Sequence, residues 1–67
     1  MKFHWIVAYY PGEEPLYEGD QDFVPHKGES LILPEWPRCA FPVSCIRYNL
    51  VANTVFIGVE NAFELPD

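Results

Sequence analysis

Phe41-Pro42-Val43-Ser44-Cys45-Ile46-Arg47-Tyr48-Asn49-Leu50-Val51-Ala52-Asn53-Thr54-Val55-Phe56-Ile57-Gly58-Val59-Glu60 is the stretch that decides the fold. Two runs rich in β-branched and aromatic residues flank a short segment bounded by Asn49 and Asn53. Asparagine tolerates positive φ and so suits a chain reversal. In the second run Val55, Ile57 and Val59 fall on one face, and Phe56, Gly58 and Glu60 on the other. In the first run Ile46, Tyr48 and Leu50 alternate with Cys45, Arg47 and Asn49. The pattern predicts a β-hairpin. A lone hairpin is marginal in water, so other strands must cover its apolar face.

Candidate strands precede the hairpin in the sequence. In Lys2–Tyr10, Phe3, Trp5, Val7 and Tyr9 alternate with His4, Ile6, Ala8 and Tyr10. Both faces are apolar, which predicts a strand covered on each side for part of its length. Pro11-Gly12 ends it. Ser30-Leu31-Ile32-Leu33 predicts a short strand stopped by Pro34. Between them, Gly12–Asp22 holds Glu13, Glu14, Glu18, Asp20 and Asp22 with no Lys or Arg. It reads as a long acidic loop with room for a short strand at its middle. Phe23–Glu29 reads as a turn region framed by Pro25 and Gly28, and Glu35–Ala40 as a proline-punctuated loop. Asn61-Ala62-Phe63 suits one turn of 3₁₀ helix, with Phe63 and Leu65 tucked against the body.

Seven prolines and four glycines leave little room for a helix. The expectation is an all-β fold, a small five-stranded barrel with a long acidic loop, in one domain over residues 1–67. A chain this short buries a modest core. A content of 49% hydrophobic and 16% aromatic residues matches that need and argues against disorder.

At this point the order of parts resembles an SH3-type barrel. Ala8-Tyr9-Tyr10 stands where that family carries its Ala-Leu-Tyr-Asp-Tyr motif, and Lys27-Gly28-Glu29 is similar to its Lys-Gly-Asp/Glu signature at the diverging turn. The resemblance implies that the Asn49–Thr54 reversal is the distal hairpin and that Asn61-Ala62-Phe63 is the 3₁₀ turn. The family's Pro-Ser-Asn-Tyr turn is absent, and its paired Trp is at best the lone Trp36. The resemblance therefore speaks for the fold more than for proline-peptide binding.

Charge narrows the function. Ten acids against four bases give a formal net charge of −6. Direct nucleic-acid binding needs cations to neutralise phosphates, and anionic membrane surfaces need them too. No apolar run approaches the roughly 18 residues of a membrane span. Met1-Lys2-Phe3-His4-Trp5 begins on strand-like sequence with no leader pattern, so a cytoplasmic location and free thiols at Cys39 and Cys45 are expected.

Each candidate constellation has a plain alternative. The acids of Gly12–Asp22 lack the central Gly and terminal Glu of a calcium loop. They can solvate a loop, or stand in for phosphates and dock on a basic site. His4, His26, Cys39 and Cys45 have no compact zinc spacing, so no metal or other cofactor is expected. No spacing singles out Ser30, Ser44 or a Cys beside a His as a nucleophile, so no catalytic residue is assigned. Tyr10 and Trp36 stand next to prolines, where aromatics serve as interface anchors.

The resulting expectation is a non-enzymatic protein-binding module, an acidic inhibitor or modulator of a larger partner with a basic surface, a design common among phage and mobile-element inhibitors. The expected contact residues are Glu13, Glu14, Glu18, Asp20 and Asp22 with Tyr10, Tyr17 and Trp36. The alternatives are an adaptor taking a proline-rich peptide through Tyr10, Trp36 and Phe63, and an assembly subunit that forms homo-oligomers through a strand edge.

Overall fold

The computed structural model describes residues 2–10, 12 and 14–66. Six strands follow one another: β1 (Phe3–Tyr9), β2 (Pro15–Gln21), β3 (Ser30–Leu31), β4 (Cys39–Asn49), β5 (Thr54–Val59) and β6 (Phe63–Glu64). The main sheet runs β2-β1-β5-β4-β3, and β6 pairs with β4. The sheet is all-β and curls into a half-barrel.

β4 makes the curl. Its second half pairs antiparallel with β5, from Val43↔Val59 to Asn49↔Thr54. Its first half pairs with β3 through Pro42 and Phe41, and with β6 through Ala40 and Cys39. The register shifts between Val43 and Cys45, which leaves Ser44 as a bulge. A bulge bends and twists a strand, and Pro42 just before it tolerates the break in the ladder. One strand thus joins the β5 side of the sheet to β3 and β6.

The expected hairpin is present, with Val55, Ile57 and Val59 buried on its inner face. β1 lies beside β5 in parallel, Trp5 opposite Val55 and Val7 opposite Ile57. The core gathers Trp5, Val7, Leu33, Phe41, Val43, Val55, Ile57 and Val59. β1 is buried on its other face only at Ala8, which stands opposite Gly58. Phe41 anchors the rings, with Tyr9 at 6.1 Å and Trp36 at 5.8 Å between centroids.

Two local expectations are corrected. Gly12–Asp22 is not a long loop, because Pro15–Gln21 is a seven-residue strand antiparallel to β1. Its alternation was hidden: Tyr17 and Gln21 face inward beside Gly19, which supplies no apolar signal, while Glu18 and Asp20 face outward. Residues 61–63 make no 3₁₀ turn; Phe63 begins β6 and is exposed, although Leu65 is half-buried. The expected strand end at Pro11 lies outside the described residues.

Candidate functional site

The outer face of β1 and β2 carries the main polar cluster. His4 stands opposite Asp20 in the ladder, and Ile6 opposite Glu18. The His4 ring sits between the two carboxylates, with Nδ1 2.8 Å from Asp20 Oδ1 and Nε2 2.8 Å from Glu18 Oε2. A neutral imidazole has one N–H, so only the imidazolium can donate to both. The hydrogen bond to Asp20, then that to Glu18, holds the His4 pKa above its ordinary 6.5. The two oxygens lie on opposite edges of the ring and do not converge on a point. Among the described residues no three His, Cys, Asp or Glu side chains are grouped as metal ligands.

Glu14 and Asp22 flank β2 in sequence and are exposed, and Glu13 lies outside the described residues. All eight described carboxylates (residues 14, 18, 20, 22, 29, 35, 60 and 64) are exposed.

The expected aromatics do not join this cluster. Tyr17 faces inward, where its ring crosses Gly19 and its hydroxyl accepts a hydrogen bond from Gln21 Nε2 at 2.9 Å. Trp36 leans edge-on against Phe41 in the turn after Leu33. Tyr10 lies at the far end of the outer face, over Gly58. The expected residues therefore occupy three separate places, because a strand sends its neighbours to opposite faces.

No family model, curated protein or solved structure matches the chain. The candidate site therefore rests on this geometry alone.

A second surface includes the expected Tyr10 and adds residues that sequence reasoning missed. Arg47 lies 6.0 Å from the Tyr10 ring centroid, within cation–π range. Tyr10, Arg47, Phe56 and Tyr48 line an open cleft of about 810 Å³ that reaches the hairpin turn. At that turn Leu50 and Val51 are 88% and 100% exposed. The signal was in the sequence as Leu50-Val51-Ala52, an aliphatic run between Asn49 and Asn53 at the tip of a reversal.

Proposed function

We propose that this chain is a non-catalytic protein-binding module whose acidic surface docks on a basic face of a larger protein. The observation that carries this reading is the outward row of β2, where Glu18 and Asp20 stand on a regular strand and His4 fixes their carboxylates. Ordered carboxylates lose less conformational freedom on meeting Lys or Arg than freely moving ones would. The same acidity works against nucleic acid and anionic membranes as direct ligands.

The test is capture from lysate at low and high salt, with wild type beside a variant. The variant changes Glu14, Glu18, Asp20 and Asp22 to their amides, with thermal unfolding of both recorded because two of these groups hold His4. Loss of one defined partner at high salt, and in a folded variant, supports the reading. Capture indifferent to both overturns it.

One observation favours a second reading. Leu50 and Val51 are held out on an ordered turn beside the Tyr10–Arg47 cleft, and such apolar tips serve as anchors for protein partners. Capture lost in Leu50→Ser/Val51→Ser but not in the amide variant would move the contact there. The adaptor reading has less support, since the clefts beside Tyr10 include neither Trp36 nor Phe63.

A further inference from the structure

We infer that the outer edge of β2 takes an extended segment of the partner, with alternating basic and aliphatic residues, as an additional strand. This rests on the protein-binding reading above and specifies how the acidic surface is used.

β2 is the last strand on its side of the sheet. Among the described residues its backbone pairs with β1 and with nothing else. Every second N–H and C=O of β2 therefore points away from the sheet, as a template for another strand. The opposite end of the sheet is β3, only two residues long, and offers no such template. The protections of the β2 edge are confined to its start and to the acids Glu18 and Asp20, which a basic strand would neutralise. β2 has no Lys, its one proline is its first residue, and its irregularity lies at the Val7/Ala8 end. From Tyr17 to Gln21 the ladder is regular.

The two faces of β2 select the occupant. Inward, Tyr17 and Gln21 border a cleft of about 180 Å³ shared with Trp5, Phe23 and Ile32. Phe23 and Ile32 are 51% and 58% exposed there, large apolar side chains with room for a neighbour. Outward stand Glu18 and Asp20. Glu35 lies across a second cleft from Pro15–Glu18 and adds a carboxylate near β2. An added strand follows the same alternation, so its inward residues meet apolar surface and its outward residues meet carboxylates. Aliphatic inward and Lys or Arg outward satisfies both faces. A second copy of this chain does not, because pairing β2 with β2 sets acids beside acids.

The experiment uses the acetylated and amidated heptapeptide Lys-Val-Lys-Val-Lys-Val-Lys as probe. Its control is the same peptide N-methylated at its three central amides, which keeps the charge and blocks both backbone edges. Amide hydrogen exchange of the whole chain is followed by NMR with each peptide. The expected result is at least tenfold slower exchange at alternate amides within Tyr17–Gln21, seen with the unmodified peptide only and lost at high salt. Unchanged exchange at β2, or equal protection by the N-methylated peptide, overturns the inference. If the methylated peptide binds as tightly and as salt-dependently as the parent, acidic docking survives and strand addition falls. If neither peptide binds and capture of a partner ignores salt and the amide substitutions, the underlying reading falls as well.

Discussion

His4 Nδ1 lies 2.8 Å from Asp20 Oδ1 across the β1–β2 pair, and this contact coexists with the one to Glu18 only while the ring is protonated. The charged groups that act on it are Asp20 and Glu18 from β2, while β5 offers the uncharged Thr54 opposite. The folded pKa is raised above 6.5, so the stabilisation is fully present below that value and is lost as pH rises through the folded pKa. An NMR titration should place His4 above 6.5, and Glu18→Gln/Asp20→Asn should bring it back. Thermal stability of the wild type should fall as pH rises from 6.5, and His4→Gln should remove that part of the slope. A His4 titration unchanged by the double substitution would sink the account.

The hairpin was legible because three signals agree there: β-branched alternation, two asparagines, and a strict inner row of Val55, Ile57 and Val59. β1 was legible from the alternation of Phe3, Trp5, Val7 and Tyr9 alone. β2 was not, because its inner row is Tyr17, Gly19 and Gln21, which does not read as an apolar face. The strand exists because β1 needs a partner on its free side, a demand made by pairing and not by propensity. Glu14, Glu18, Asp20 and Asp22 are exposed, but their neighbours could not be assigned without the register. One residue of register decides whether Tyr17 or Glu18 faces the solvent. Arg47 was passed over because its approach to Tyr10 joins β4 to the end of β1 across β5, which no local pattern reveals.

Gly58 is where the outer face can least accept a side chain. A Cβ there would stand 2.6 Å from Cys45 Sγ and 3.0 Å from Tyr10 Cβ. Overpacking of this kind costs about 1–3 kcal/mol. Gly58→Ala should lower the urea midpoint accordingly, and adding Cys45→Ala should recover part of the loss. A double variant no more stable than Gly58→Ala would show that Cys45 is not the obstacle.

Tyr17 closes β2 over its own glycine. Its ring lies across Gly19, and covering a strand glycine with an aromatic shields exposed backbone. Tyr17→Phe keeps the ring and removes only the acceptor for Gln21, a loss of about 0.5–1.5 kcal/mol. Tyr17→Ala also uncovers Gly19 and removes packing against the core, so it should cost clearly more. Urea unfolding of both variants, with amide exchange at Gly19, measures the split. Equal losses would mean that the ring contributes nothing beyond its hydroxyl.

The two asparagines of the hairpin turn do different work, although the sequence made them look alike. Asn49 uses its side chain: Oδ1 accepts from the backbone N–H of Val51 at 3.1 Å and of Ala52 at 3.0 Å. Asn53 uses its backbone, with φ at 54°. The substitutions should separate accordingly. Asn49→Asp retains the acceptor and should stay near wild type, while Asn49→Ala leaves two turn amides to water and should cost about 1 kcal/mol. At Asn53, glycine is tolerated, whereas Asn53→Val forces a β-branched residue into the left-handed region at about 1–2 kcal/mol. Chemical denaturation of the four variants decides the matter, and the reverse ordering at either position would refute the assignment. The turn also fixes where Leu50 and Val51 point, so Asn49→Ala bears on function. If the hairpin tip is the contact, this variant should weaken capture beyond what its stability loss explains. If β2 is the contact, capture should be unchanged.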